Sequence, residues 1–486
     1  MSIGVRAVRG AVWTIGSTLG SRVIALVGTL LLTRYLAPAV AGEVNVAFTL
    51  VAMTALLTDV GFTQYLVVRR QTGHEGIFHV AMLFLVIGAA GFGLIVLFGP
   101  FIAPLFGKQG DPAKYIPGLA AAMMIERFGL VPERVLIREL HMRPVALGRS
   151  FGELAYTGSS ITFAALGFGG FSIVWGNVVR NLIYASIVTY SGGFGWAKRV
   201  PWSWERVREI FKFGTPLYIG GVAYWSSRRT DNLLFSRMFG LDRLGHYNQA
   251  YNLADIPATN VGEHLGEVLL PAMSQMEKEQ RMDALIRGTM LICLIMFPLA
   301  IGLGVVAPTA VRALFTEEWW PVGSYVMVLS ALSVTRPIHW TVGNYMQACG
   351  LTKMHVYLNV PHVFILLASM YIFGQWGPLW ACIGVGFAYG VLSMAAVVAV
   401  KIVDGIPISQ FLGQLVPPLL ACAPMTGAVL GVRWLLERQG FKPSLFMVAV
   451  EVAVGALSFV PSALILAPTA SRELLRLVKA AVFKRG

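Results

Sequence analysis

Charge is what this sequence has least of. Only 13% of its 486 residues are Asp, Glu, Lys or Arg, about half the share of a soluble domain, and 56% are hydrophobic. The mean hydropathy is +0.69. Together these values exclude a water-soluble globular enzyme and a disordered chain alike. Cysteine is scarce too. Cys293, Cys349, Cys382 and Cys422 lie in or beside apolar runs and form no CxxC pair, so neither a disulfide framework nor a zinc site is expected. The chain lacks a GxxxxGKS/T phosphate loop, which argues against direct ATP hydrolysis, and it has no HExxH or GxSxG.

What fills the chain instead is a series of apolar runs. They fall near residues 11–33, 44–66, 78–99, 117–131, 150–168, 171–190, 213–235, 246–270, 286–308, 322–347, 355–373, 377–400, 415–435 and 445–467. A bilayer-crossing helix needs about 20 mostly apolar residues, so these are fourteen candidate spans with no room left for an aqueous domain. Lys and Arg test the topology. With the N-terminus inside, 23 of the 38 fall in inner segments, counting Arg287 at the inner edge of the ninth run, and eight in outer loops. The other seven, Arg22, Arg127, Arg180, Arg228, Arg229, Arg336 and Arg433, sit inside spans. That asymmetry predicts a multi-pass protein of the inner membrane with both termini in the cytoplasm. The net charge of +14 therefore reflects orientation, and no nucleic-acid partner is expected.

The first run resembles a secretory signal in its flanking Arg6 and Arg9, but Arg22 interrupts it and it takes part in an internal repeat, so it is expected to be retained. Residues 30–50 (LLLTRYLAPAVAGEVNVAFTL) and 232–253 (NLLFSRMFGLDRLGHYNQAYNL) align at a constant offset of 203. Leu31 meets Leu234, Arg34 meets Arg237, Gly42 meets Gly245, Asn45 meets Asn248, Ala47 meets Ala250 and Leu50 meets Leu253. Six spans separate the copies, an even number, which predicts two parallel lobes related by an axis along the membrane normal. The expected fold is an all-α polytopic membrane protein of about 14 transmembrane helices. Helices 1–6 form an N-lobe over residues 1–210 and helices 7–12 a C-lobe over 211–405. Helices 13–14 and a basic amphipathic cytoplasmic tail occupy 406–486. Pairs such as Gly386/Gly390 and Gly427/Gly431 are expected to serve packing within the chain.

The informative residues are the charges within spans, because a charge at the bilayer centre costs about 2.5–3.5 kcal/mol on insertion scales. Arg228, Arg229 and Asp231 crowd the seventh span. In the eighth, Asn248, Asn252, Asp255, Thr259, Glu263 and Glu267 recur about every four residues, along one helix face. Arg22, Asp59, Arg180 and Arg336 are isolated elsewhere. Arginine holds its charge and grips oxygens in pairs, so Arg22, Arg180, Arg228, Arg229 and Arg336 point to a cavity for an anion such as a pyrophosphate. Asp59, Asp231, Asp255 and Glu263 are candidates for ion coupling, and Asn248 and Asn252 for polar contacts in the same cavity. Glu126, Arg127 and Glu153, near the inner boundary, fit either a cavity or an interfacial salt bridge. Residues 202–212 and the tail around Arg472, Arg476 and Lys479 suit basic helices lying on anionic lipid.

Several stretches resemble a known family. RGAVWTIGSTLGSRVIALVGTLLLTRYLAPAVAGEVNVA (9–47), LLTDVGFTQYLVVR (56–69), LIRELHMRPVALGRS (136–150), GHYNQAYNLADIP (245–257) and LLPAMSQ (269–275) are similar to oligosaccharide-lipid flippases of the Wzx type. These belong to the MOP exporter superfamily, with the MATE transporters and the lipid II flippase. The resemblance implies a MATE-like, V-shaped transporter that alternates between inward- and outward-open states. It implies as substrate a polyprenyl-pyrophosphate-linked oligosaccharide repeat unit for exopolysaccharide, capsule or O-antigen, moved to the outer leaflet with H+ or Na+ coupling and no other cofactor. By position, Arg22 and Arg228 or Arg229 match the family's pyrophosphate arginines. Helices 13 and 14 resemble the pair that forms a lipid-tail groove in the lipid II flippase. Implied partners are membrane lipids, a polysaccharide polymerase and export machinery. Two rivals remain at this level. A MATE-like drug or cation antiporter would have a carboxylate-dominated cavity, and a membrane glycan polymerase or ligase would carry a long outer loop with catalytic Arg or His.

Overall fold

The computed structural model describes residues 20, 24–25, 27–68, 73–106, 110–139, 141–226, 230–256, 273, 276–349, 351–405 and 407–483. Among them there are helices and no strands. Two compact units result, Met1–Gly245 and His246–Gly486. The first holds α1 (Pro38–Leu57), α2 (Phe62–Val68), α3 (His74–Ile102), α4 (Ile116–Arg138), α5 (Met142–Ala165), α6 (Phe171–Gly192), α7 (Trp204–Ser226) and the first part of α8 (Thr230–Ala254). In the second are α9 (Lys278–Leu314), α10 (Pro321–Leu332), α11 (Arg336–Ala348), α12 (Thr352–Gly374) and α13 (Pro378–Asp404). It also holds α14 (Ile408–Gly413), α15 (Val416–Arg438), α16 (Leu445–Leu466) and α17 (Pro468–Phe483).

Eight of the described helices are long and apolar enough to cross a membrane. The expected fourteen crossings also draw on helices that miss that criterion for visible reasons. α4 carries Glu126, Arg127, Glu133 and Arg134, and the run at 322–347 is split into the shorter α10 and α11 by a tight turn at Ser333–Thr335. The run expected at 44–66 is likewise two helices. Val60 (φ 45°) and Gly61 (φ 75°) interrupt the helix after α1, and the left-handed conformation at Val60 is costly for a β-branched residue.

The aligned repeat segments meet each other inside the first unit. The chain turns before Pro38, which sits at the first position of α1 as its fixed φ favours. At the equivalent point α8 breaks at Gly240 (φ 85°, ψ 173°) and resumes at Leu241. A Cβ on Gly42 would overlap the carbonyl oxygen of Leu241 and lie 2.7 Å from its carbonyl carbon. One on Gly245 would overlap the carbonyl oxygen of Pro38, 2.8 Å from that carbon. Adding 203 to 42 and 38 gives 245 and 241, so the two contacts are the same contact seen from each copy. Only residues without a side chain let two backbones cross this closely. Beside the crossing, Glu43 pairs with Lys114 at 2.9 Å, and that hydrogen bond raises the Lys114 ammonium above its usual range.

In the second unit α15 and α16 pack on each other and on α9. A buried staple fixes them. Glu451, fully buried on α16, accepts hydrogen bonds from Arg433 Nε (2.9 Å) and Nη2 (2.8 Å) on α15 and from Thr309 Oγ1 (2.7 Å) on α9. Arg433 Nη2 also donates to the Val305 carbonyl at 2.5 Å. Arg433 is thus occupied in holding helices together. Removing one partner of a buried pair costs about 3 kcal/mol or more. Glu451→Ala is therefore expected to lower the unfolding temperature of the purified protein. The joint replacement Arg433→Met with Glu451→Leu should restore most of it. Of the expected packing glycines, Gly386 sits against Leu332, whereas Gly390, Gly427 and Gly431 face open space.

Candidate functional site

In the first unit the intramembrane polar residues converge where α4, α5 and α6 pack together. Glu153, Tyr156 and Ser160 repeat at helical spacing on one face of α5. Gly176 on α6 lets that face come close, since a Cβ there would overlap Ser160 Oγ and touch the Tyr156 ring at 3.1 Å. Arg180, one turn further along α6, lies with its guanidinium 5.4 Å from the centre of the Tyr156 ring. Its Nε makes one long hydrogen bond, 3.4 Å to Asn181 Oδ1. Glu126 and Glu153 exert their charge on it from α4 and α5, yet among the described residues no carboxylate forms an ion pair with Arg180. It is a half-buried cation whose donors are largely unspent.

Arg127, its neighbour in this region, is the opposite. It is 3% exposed and donates to the Phe84 carbonyl (2.8 Å), the Ala55 carbonyl (2.6 Å) and Thr58 Oγ1. The guanidinium also stacks on Phe84 at 4.3 Å and Phe92 at 5.2 Å. Three hydrogen bonds from its two terminal nitrogens tie α4 to α1 and α3. Glu133, fully buried, accepts from Arg149 at 2.5 Å and from the Tyr184 hydroxyl, which binds α4 to α5 and α6. Asp59 accepts from the amide (3.3 Å) and hydroxyl (3.0 Å) of Thr63, so its carboxylate caps the start of α2. Asp231 is buried in the first turn of α8, where a negative charge suits the helix dipole, and accepts from the Asn232 amide at 2.9 Å.

In the second unit the polar stripe at the end of α8 takes the expected helical form. Asn252 Nδ2 donates to Asn248 Oδ1 at 3.1 Å, one turn away. Asp255 follows on the same side and forms an ion pair with Arg336 of α11. Arg336 is 7% exposed, donates to the Tyr251 hydroxyl at 3.0 Å, and lies between the Tyr251 and Tyr389 rings at 5.2 and 4.8 Å. An expected anion-binding arginine and an expected coupling carboxylate are thus bound to each other. The two tyrosines were not singled out by the sequence, because aromatic residues make up 11% of the chain. Arg22, Arg228, Arg229 and Glu263 lie outside the described residues. Among the described residues no three His, Cys, Asp or Glu side chains form a metal-binding group.

Comparison with known proteins agrees with this architecture. Residues 31–323 match a family described as "Polysaccharide biosynthesis protein". The chain is 28% identical over 325 residues to the succinoglycan biosynthesis transport protein ExoT of Rhizobium meliloti (strain 1021). That match covers 65% of this chain, which spans 64% of the relative's length. With the lipopolysaccharide biosynthesis protein WzxC of Escherichia coli (strain K12) it shares 22% identity, covering 77% and 76% of the two chains. Among solved structures, the lipid II flippase MurJ in an inward closed conformation superposes with a TM-score of 0.77 at 15% identity. The superposition covers 96% of this chain and all of that one, and it establishes the shared fold.

Proposed function

We infer the function from one premise: this chain belongs to the polysaccharide biosynthesis protein family, with residues 31–323 inside the family match and relatives named for succinoglycan transport and lipopolysaccharide biosynthesis. It is a multi-pass membrane transporter and not an enzyme. We propose that it flips a polyprenyl-pyrophosphate-linked oligosaccharide repeat unit from the inner to the outer leaflet of the cytoplasmic membrane by ion-coupled alternating access. The lysine and arginine asymmetry supports cytoplasmic termini. A polymerase and export machinery would receive the flipped unit. The N-lobe over 1–210, the C-lobe over 211–405 and the C-terminal pair belong to this reading.

The family match carries the proposal, and Arg180 gives it a chemical handle. A diphosphate is a dense double anion, and a guanidinium free of carboxylate partners can meet it with paired hydrogen bonds. Arg22, Arg228, Arg229 and Arg336 are the other proposed contacts. Asp59, Asp231, Asp255 and Glu263 are proposed for coupling, with Asn248 and Asn252 lining the polar path. Hydrogen bonds to charged groups contribute about 1.5–3 kcal/mol each, roughly a 10–100-fold change in binding. In a strain that depends on this chain for surface polysaccharide, Arg180→Ala should therefore remove the polymer at unchanged membrane abundance, and Arg180→Lys should restore part of it. Full polymer with Arg180→Ala would remove Arg180 from the site. A wild-type chain that supports no polymer in a strain lacking its own flippase would end the transport reading.

A further inference from the structure

His362 lies in α12 beside the Arg336 cluster and is 2% exposed. Among the described residues no hydrogen bond of normal geometry reaches either of its ring nitrogens, and the Ala388 backbone on α13 offers only a weaker one. A neutral imidazole carries one N–H and one lone pair, and burying them poorly satisfied is costly, so such groups in native proteins call for an explanation. The ring packs on Tyr389 of α13, with centroids 4.9 Å apart and planes at 53°. The guanidinium of Arg336 lies 4.8 Å from the centre of the same Tyr389 ring. The hydroxyls of Tyr389 and Tyr251 are 3.4 Å apart, and Tyr251 in turn accepts from Arg336. Among the described residues, the titratable and charged groups around His362 are thus Tyr389 from α13, Arg336 from α11, and Tyr251 and Asp255 at the end of α8. On its own helix the polar neighbour is the buried Asn359.

We propose that His362 is a proton-binding site, and that a proton taken up there turns the Arg336–Asp255 cluster from charge-balanced into anion-receptive. Arg336 and Asp255 contribute one charge of each sign. Protonation places a second cation beside the same Tyr389 ring as the guanidinium and gives the imidazole two donors. Two cations then share one carboxylate. In a low-dielectric interior this excess is relieved by an entering anion, and a diphosphate supplies it. When the anion leaves, the same repulsion returns the proton. The inference rests on the proposed anionic substrate and assigns one place where proton and substrate are linked.

The test uses the full-length protein with 15N-labelled histidine in phospholipid bilayers and solid-state NMR. The chain has eight histidines, and the His362 signal is the one missing in H362Q, with H362N as a second variant for the assignment. The expected result is passage from neutral imidazole to imidazolium as the pH falls from about 7 to about 3. Inorganic pyrophosphate, the anionic probe, should move that passage to higher pH. The shift should vanish in R336Q and persist in R336K. A ring that stays neutral over the whole range overturns the proton site, and a titration that pyrophosphate leaves unmoved overturns the linkage. Polymer production by the wild-type chain in cells tests the transport reading separately, so the two can fail independently.

Discussion

Gly42→Ala is expected to abolish surface polysaccharide, although alanine is the smallest side chain that can be added. The new Cβ would fall on the carbonyl oxygen of Leu241, which is backbone and has no rotamer to turn away. Overpacking a tight contact costs about 3 kcal/mol, roughly a 100-fold loss in the population of the crossed arrangement. Gly245→Ala should do the same by striking the Pro38 carbonyl. The double variant should be little worse than either single one. Both glycines serve one crossing, so after the first has forced the segments apart the second has nothing left to disrupt. Polymer yield against membrane abundance for the three variants checks this. Wild-type yield from Gly42→Ala would show that the crossing can open without consequence, and strictly additive losses would show two independent contacts.

That crossing was half legible in the sequence. The offset of 203 aligns Gly42 with Gly245, but alignment cannot say that each glycine packs on the other copy. Helix positions were readable because apolar runs must be about as long as the bilayer is thick. The runs at 171–190 and 445–467 match α6 (Phe171–Gly192) and α16 (Leu445–Leu466) within a few residues. Hydropathy fails where the backbone decides, as at the Val60–Gly61 break inside a run of apolar residues. It also says which charges enter the membrane without saying whom they meet. Asp255 and Arg336 are 81 residues apart and bonded, and Arg433 meets Glu451 across a helix hairpin. Five arginines expected in one role divide, among those described, into a paired Arg336 and an Arg180 without an ion pair.

The same distinction gives the second large effect. Arg127→Ala is expected to prevent accumulation of folded protein, whereas Arg180→Ala leaves abundance intact. Both are arginines on adjoining helices of one polar region, and their sequence contexts look alike. Arg127 satisfies the Phe84 and Ala55 carbonyls and the Thr58 hydroxyl from one buried guanidinium. Its loss removes a donor from each of those groups, at about 1–3 kcal/mol for a buried one such as the Phe84 carbonyl, and opens a cavity under Phe84 and Phe92. The sum approaches the whole stability of a typical domain. Lysine cannot rescue it, because one ammonium does not reproduce the planar fork that reaches α1 and α3 together. Gly88→Ala should mimic part of the loss, since a Cβ there would lie 2.8 Å from the Arg127 Cδ and Cζ. Membrane abundance and unfolding temperature measure these effects directly. Normal abundance of Arg127→Ala would mean that the three acceptors find other donors. In that case an intramembrane arginine with several hydrogen bonds could no longer be read as structural, nor a sparsely bonded one as awaiting substrate.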